Sequence, residues 1–191
     1  MFSSSLRRVL PALCIVSLAA TLHAKSERNA LNSIYVEGLG PALAYSLNYE
    51  RLVINDLGVR AGLSFISFSA SVSAENAGSQ TTSADLWIFP VTASYLGISA
   101  GKHALELGGG PTFLYITGTT SESTFGLKAS ASGMTVLGDI LIGYRIHPEN
   151  GGFQFRTGFT GLFGNGLAED DMHQPTVGFL PWFYISLGAC F

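Results

Sequence analysis

The sequence is short of charge, of cysteine and of long apolar runs. Only 12% of its 191 residues are charged, and the 10 Lys and Arg are outnumbered by 13 Asp and Glu. A nucleic-acid-binding protein needs a basic face, so this balance argues against a nucleic-acid partner. One of the two cysteines lies among the first 24 residues, and Cys190 alone cannot form an internal disulfide. Beyond the leader described next, no apolar run reaches the roughly 20 residues of a membrane-spanning helix.

The first 24 residues predict a cleaved signal peptide. Arg7 and Arg8 precede an apolar run over residues 9–20, and Ala24 ends an acceptable cleavage site. The run is too short to cross a bilayer as a helix, although a short membrane anchor is the alternative. We therefore expect a signal peptide over 1–24 and one mature domain over 25–191. Loss of the two arginines leaves 8 basic and 13 acidic residues, a net charge of -5.

The mature sequence alternates between apolar and small or polar residues, and its charges fall on the small and polar side. In residues 42–52, for example, Tyr45 and Leu47 alternate with Ser46 and Asn48. The charged residues that share this parity are Glu37, Glu50, Arg60, Glu106, Asp139, Arg145 and Arg156. A water-soluble barrel hides its apolar face inside, whereas here the apolar face lies opposite charge. The pattern therefore predicts a transmembrane β-barrel with lipid outside and a polar core.

Seven alternating segments are clear, and an eighth is expected because bacterial single-chain barrels have an even number of strands. The seven cover residues 42–52, 57–68, 86–96, 103–117, 134–146, 153–163 and 177–191, and polar stretches over 69–83, 118–133 and 164–176 read as long loops. A break at Gly38-Leu39-Gly40-Pro41 would supply the eighth strand, with Glu37 pointing inward. The alternative is one long bent strand. The sequence thus predicts a closed, antiparallel, eight-stranded barrel.

Loop lengths predict the orientation in the membrane. The short turns near residues 55, 100 and 149 fall on one side, and the long polar stretches fall on the other. Outer-membrane barrels have short periplasmic turns and long extracellular loops, so both termini are expected in the periplasm. Aromatic residues on the apolar face should bracket the lipid at the two rims. They are Tyr49, Tyr95, Tyr144, Phe153 and Phe191 near the periplasm, and Trp87, Tyr115 and Phe163 near the outside.

This architecture resembles the small eight-stranded outer-membrane barrels of the OmpA, OmpX and OmpW type, over about residues 30–191. The segment AYSLNYERLVINDLGVRAGLSF, residues 44–65, is similar to the first periplasmic hairpin of many outer-membrane β-barrel domain proteins. The last strand, with Phe183, Ile185, Leu187 and Phe191, resembles the C-terminal signal that the outer-membrane assembly machinery reads. The resemblance implies a bacterial outer-membrane location, among lipid and lipopolysaccharide. We also expect a monomer.

The charged cluster is expected to fill the barrel. An eight-stranded barrel is just wide enough inside for side chains, and buried charges of opposite sign should pair. Glu50 and Arg60 are expected to face each other across the first periplasmic hairpin. Glu106, Asp139 and Arg156 are expected at similar depth. The result would be a polar plug, and the alternative is an ion or proton path.

We expect a non-enzymatic barrel, acting as a structural or surface protein or binding through its loops, with no catalytic residue, cofactor or metal ion. One alternative is a narrow conduit for small apolar molecules, as the OmpW resemblance implies. Apolar inward residues near the outer rim suit it: Ile66, Phe68, Leu86, Leu114, Ile116, Leu162, Leu180 and Trp182. The other is a lipid A deacylase or acyltransferase. Such an enzyme needs its histidine near the outer leaflet, where only His173 is expected, because His103 and His147 belong to periplasmic turns.

Overall fold

The protein is a closed barrel of eight antiparallel strands. The computed structural model describes residues 28–74, 78–122, 128–169 and 175–191, so the predicted signal peptide and His173 lie outside the described residues. The strands are β1 (Asn32–Leu39), β2 (Tyr45–Ile54), β3 (Leu57–Ala74), β4 (Gly78–Ala100), β5 (His103–Glu122), β6 (Lys128–Ile146), β7 (Gly152–Glu169) and β8 (Pro175–Cys190). Each pairs with its neighbours in the chain, and β1 closes on β8. The predicted fold class is confirmed.

The distribution of apolar side chains is inverted relative to a soluble protein. On the outer face, Ile142 is 52% exposed and Phe159 is 69% exposed. On the inner face of the same two strands, Arg145 and Arg156 are fully buried. The aromatic residues predicted for the two rims all lie exposed on the outer face. Since exposing such a surface to water is unfavourable, lipid is its natural surrounding. Among the described residues, no helix is long and apolar enough to cross a membrane.

The strands are longer than the sequence predicted. The long loops expected over 69–83, 118–133 and 164–176 are wrong, because β3 to β8 continue through most of these residues as hairpins. Pairing stays in register between β3 and β4, as between Ser69 and Ser83. Between β7 and β8 the register shifts between Asn165 and Ala168, but the pairing continues. Ser, Thr, Ala and Gly do not interrupt a ladder of backbone hydrogen bonds, and Thr82 and Thr120 lie side by side with hydroxyl oxygens 3.4 Å apart. A strand that projects out of the lipid does not need apolar residues on its outer face. A polar sequence therefore does not distinguish such a strand from a loop.

The first hairpin is short, and its turn folds inward. β1 and β2 are separated by a single 3₁₀ turn over Gly40–Ala42, which rules out the alternative of one long bent strand. The backbone φ is positive at Leu39, Gly40 and Leu43, a conformation that is unusual outside glycine. Gly40, Pro41 and Ala42 are buried, and they touch β4, β7 and β8 as well as their own hairpin. The turn, residues 40–43, therefore lies inside the barrel, and we call it the lumen turn.

A short first hairpin leaves part of the barrel wall open. The last described pair between β2 and β3 joins Leu47 to Leu63, and the last pair between β1 and β8 joins Leu39 to Tyr184. Beyond these pairs, the facing edges of β3 and β8 have no neighbouring strand. We call this opening the wall gap. Two side chains bridge to its edges: the Tyr45 hydroxyl donates to the Phe65 carbonyl oxygen, and the Trp182 indole Nε1 donates to the Leu43 carbonyl oxygen at 3.2 Å.

Candidate functional site: the closed interior

Arg156 is the centre of the buried charged cluster. Its Nε and Nη2 atoms donate to the two carboxylate oxygens of Glu106 at 2.9 and 2.7 Å. Its Nη1 atom lies 3.5 Å from an oxygen of Glu37. The guanidinium also faces the rings of Tyr35 and Tyr184, at 4.6 and 5.5 Å from their centroids. A planar guanidinium suits this arrangement because it can bind a carboxylate with two hydrogen bonds and still stack on aromatic rings.

The other two arginines complete a network that spans the barrel. Arg60 Nη1 donates to Glu37 at 2.8 Å, and Ser186 donates to the same carboxylate oxygen at 2.9 Å. Arg145 Nη1 donates to Glu50 at 2.7 Å and lies 3.7 Å from Glu106. All the ionised groups in these contacts are at most 1% exposed. The pairs join β1 to β3, β2 to β6 and β5 to β7, so they cross the lumen between strands that are not neighbours.

Glu50 and Arg60 face each other across the first hairpin, as expected, but they do not form an ion pair with each other. They are partners in the register of β2 and β3, so their positions do face each other across the hairpin. Each side chain instead pairs with a group elsewhere in the lumen, Arg60 with Glu37 and Glu50 with Arg145. A long arginine side chain can reach a carboxylate several strands away, and the best available geometry decides the pairing.

Asp139 lies apart from Glu106 and Arg156, contrary to the expectation of similar depth. Glu106 is opposite Gly143 on β6, and Asp139 precedes Gly143 by four residues, toward the outer end of the strand. Its carboxylate accepts hydrogen bonds from Thr92 and Thr112 at 3.4–3.5 Å. Among the described residues, no arginine comes within ion-pair distance of it. The seven predicted charged residues are therefore all buried in the lumen, but they form one network of six and a separate carboxylate.

The periplasmic mouth is closed by the segment that precedes β1. Arg28 donates to the carbonyl oxygen of Asn55 at 2.7 Å and pairs with Asp56 at 3.2 Å. The backbone amides of residues 29 and 30 donate to the Glu149 carbonyl oxygen at 2.8 and 2.9 Å. The segment is thus tied to the β2–β3 turn and to the β6–β7 turn, and it lies across the mouth. No pattern in the sequence predicted this closure.

His147 links the closing segment to the charged network. Its Nδ1 atom lies 3.0 Å from Arg145 Nη2, a donor, so Nδ1 is the acceptor and Nε2 donates to the Ala30 carbonyl oxygen at 3.0 Å. Burial, and to a lesser extent the nearby positive charge of Arg145, lower the pKa of His147 to about 4. The imidazole is therefore neutral at physiological pH. The thiol of Cys190 also contacts it, at 3.5 Å.

Above the charged network the inner face becomes apolar. Of the eight apolar residues predicted near the outer rim, Leu162 is fully buried and most are half-buried. Phe68 and Ile116 remain 58% and 49% exposed. Leu86, Leu114 and Ile116, with residues 133–135 of β6, line a recess of about 340 Å³. The lumen turn contacts both parts: Gly40 is next to the Glu37 carboxylate, and the Leu43 carbonyl oxygen accepts a hydrogen bond from Trp182.

The fold and the inverted surface define an integral β-barrel of the bacterial outer-membrane type. Its apolar band faces lipid, its short turns and its termini lie at the periplasmic end, and its extended hairpins lie at the outer end.

No protein-family model and no curated protein matches the chain. Among solved structures it is similar to Ail, the attachment invasion locus protein of Yersinia pestis, in complex with a heparin analogue (17% identity, TM-score 0.46, 83% of this chain and 95% of Ail). It is also similar to the N-terminal barrel of Pseudomonas aeruginosa OprF (13%, 0.43, 85% and 96%) and to Acinetobacter baumannii CarO2 (12%, 0.39, 84% and 97%). A likeness of this degree says nothing about what the chain binds.

Proposed function

We propose that the protein is a non-enzymatic surface barrel: a sealed membrane part that holds extracellular hairpins for binding. The observation that carries the proposal is the network of three arginines and three glutamates across the lumen. The lumen turn closes the space above it, and the segment before β1 closes the periplasmic mouth. A barrel closed at three levels serves as a scaffold rather than as a channel.

The long hairpins are the natural binding elements. β3 to β6 extend as a continuous four-stranded sheet beyond the outermost aromatic residues of the apolar band. Binding residues on rigid scaffolds tend to lie on such projecting segments. We also propose that the barrel is a monomer, surrounded by lipid and lipopolysaccharide and inserted by the outer-membrane assembly machinery.

The two alternatives receive less support. A conduit for small apolar molecules would have to pass the charged network, which an apolar molecule crosses only at high cost. A lipid A-modifying enzyme would need a catalytic histidine at the outer end. Within the described residues, His103 and His147 lie at the periplasmic end, and His147 already donates to the backbone.

Conductance across a planar bilayer tests whether the barrel is sealed. We expect no discrete current steps from the folded wild-type protein. Arg156→Ala opens only the middle level of closure, because it removes the group that joins Glu37 and Glu106, so any current steps should be rare and brief while the lumen turn and the segment before β1 remain. Arg51→Ala, at an exposed arginine on the outer face of β2, is the matched control and should stay silent. Stable wild-type channels would contradict the proposal.

Trimming a hairpin tests whether the projections are separable from the barrel. Gly118 and Ala131 are partners in the β5–β6 register, so residues 119–130 can be replaced by Asn-Gly, a favoured two-residue hairpin turn. We expect the trimmed protein to insert and to shift its gel mobility on heating as the wild type does. Loss of insertion would mean that the hairpin belongs to the folding core and is not a display element.

A further inference from the structure

The two faces of the β3–β6 sheet exchange polarity where the sheet leaves the lipid. The last apolar row on the outer face is Phe65, Trp87, Tyr115 and Met134, which are paired in register from β3 to β6. The next outer row, two residues further up each strand, is Ser67, Asp85, Thr117 and Ser132. In this row the Ser67 hydroxyl donates to Asp85 at 2.6 Å. The outer face therefore changes from lipid-facing to water-facing within one step.

The inner face changes in the opposite direction. Lower in the barrel the inner face is polar: Arg60 is aligned with Thr92, and Gly110 is aligned with Asp139. Higher up, one inner row is Ile66, Leu86, Ile116 and Gly133, and the row above it is Phe68, Ala84, Gly118 and Ala131. These two rows carry no charge and no side-chain hydrogen-bonding group. At the outer edge of the lipid band, the sheet therefore has an apolar concave face that is still partly exposed, as Phe68 and Ile116 show.

This apolar strip runs from the wall gap to the recess. β3 is the strand that borders the gap, so Ile66 and Phe68 lie beside the opening. Leu86 and Ile116, the next residues in the Ile66 row, line the recess of about 340 Å³. Three interstrand spacings separate β3 from β6, which makes the strip about 14 Å wide. A continuous path of apolar side chains thus leads inward from the barrel wall.

The opening faces the lipid band. The outward residues on its two sides are Phe65 of β3 and Phe183 of β8, both of which are exposed apolar side chains. Below the β3 and β4 part of the strip, the lumen turn contacts both strands, and Trp182 of β8 donates a hydrogen bond to it. The charged network lies below the turn, where Gly40 is next to Glu37, and it opposes further passage of an apolar molecule toward the periplasm.

We propose that this inner strip binds one acyl chain of a membrane lipid, which enters through the wall gap from the outer leaflet. Apolar recesses of a few hundred Å³ in the mouths of β-barrels are typical ligand sites, and this one offers only hydrocarbon contacts. An acyl chain that enters the strip moves from the hydrocarbon of the bilayer to an apolar protein surface, so it does not have to pass through water. The inference deepens the proposed function, because it gives the sealed barrel a lipid ligand at its outer end.

Photo-crosslinking with residue-level mapping tests the proposal. The purified protein is reconstituted in bilayers that contain a phospholipid with a diazirine in one acyl chain, irradiated and mapped by mass spectrometry. Outward residues such as Trp87 and Tyr115 should be labelled in any case, since they face lipid. We expect additional adducts on the inward residues Leu86 and Ile116, their sequence neighbours. Labelling confined to the outward residues would overturn the proposal.

A variant that fills the recess gives the matched control. A β-carbon at Gly133 would meet only Ile116, at 3.8 Å, so Gly133→Leu can project into the recess without a backbone clash. It should lower the inward adducts several-fold and leave the outward ones unchanged, while Ser132→Leu on the outer face should change neither. Inward labelling that survives Gly133→Leu would contradict a defined site. Gly118→Leu, where a β-carbon meets only the Ala131 carbonyl oxygen at 3.9 Å, is the second filling variant if the first does not fold.

These outcomes are separate from the test of the sealed barrel. Inward adducts are lost if the strip holds no lipid, whether or not the barrel conducts. Current steps would refute the seal, whether or not the strip is labelled.

Discussion

Replacing Arg156 by methionine should be among the most destabilising changes in the barrel. The substitution keeps much of the side-chain volume but removes the guanidinium that makes two hydrogen bonds to Glu106 and stacks on Tyr35 and Tyr184. Removal of one partner from a buried ion pair costs about 3–5 kcal/mol, because the other charge remains buried without compensation. The stability lost at this position therefore depends on which contacts the carboxylates of Glu37 and Glu106 retain in the variant.

The remaining contacts place the expected loss at the lower end of that range. Glu37 keeps Arg60 at 2.8 Å and the Ser186 hydroxyl at 2.9 Å, so its charge stays compensated. Glu106 keeps only Arg145 at 3.7 Å and the Tyr184 hydroxyl at 3.4 Å. One carboxylate, rather than two, is thus left poorly paired. We expect Arg156→Met to lower the free energy of unfolding by about 3 kcal/mol.

Urea unfolding of the refolded protein in lipid vesicles measures this loss. The double variant Arg156→Met with Glu106→Gln should recover a large part of it, because it removes the orphaned charge together with its partner. Arg51→Met is the matched control, since Arg51 is exposed and makes one hydrogen bond to Asn32 at 3.3 Å. It should cost well under about 1 kcal/mol. If Arg156→Met costs no more than Arg51→Met, the network does not stabilise the barrel and the reasoning fails.

Three further predictions concern the mouth, the wall and the end of the barrel. His147 has a pKa of about 4 in the folded protein, below its unfolded value of about 6.5, so the stability it contributes is complete above pH 6.5 and is lost as pH falls toward 4. The loss should total about 3 kcal/mol in pH-dependent urea unfolding, and His147→Gln should abolish it. Gly110→Ala should prevent folding because its β-carbon would collide with the Val91 carbonyl oxygen, whereas Gly118→Ala should fold normally, as judged by heat-dependent gel mobility. Deletion of Phe191 should reduce insertion in cells but not refolding in detergent, if the last strand is an assembly signal; equal loss in both assays would make it a purely structural residue.

Much of the fold could be predicted because alternation along a strand fixes which side chains share a face. Glu37 is an example. Its charge could point inward only if the strand pattern was interrupted before residue 42, and the structure has the Gly40–Ala42 turn at that place. The lengths of the strands could not be predicted in the same way. Ser69 and Ala70 are as compatible with a loop as with a strand outside lipid, and only pairing with β4 decides between them.

The candidate site was predictable as a set of residues but not as a set of contacts. The alternation along each strand predicted that Glu50 and Arg145 lie on the inner face. It did not predict that they form an ion pair, which joins β2 to β6 across the lumen. Such a contact depends on the barrel's diameter and on arginine rotamers, which no sequence pattern encodes. The inward direction of the lumen turn was missed for a related reason. The positive φ angles at Leu39, directly before the turn, and at Leu43 within it are set by tertiary contacts and not by residue preference.

A spin-label scan of β6 over residues 136–144, in protein reconstituted in bilayers, tests the inverted barrel most directly. Each position is labelled in turn, and its collisions with dissolved oxygen and with a water-soluble nickel chelate are compared. The account predicts oxygen maxima at alternate positions, including Val136, Ile140 and Ile142, with low nickel access at all of them. High nickel access at those same positions would mean that the exposed apolar face is not in lipid, and would contradict the account.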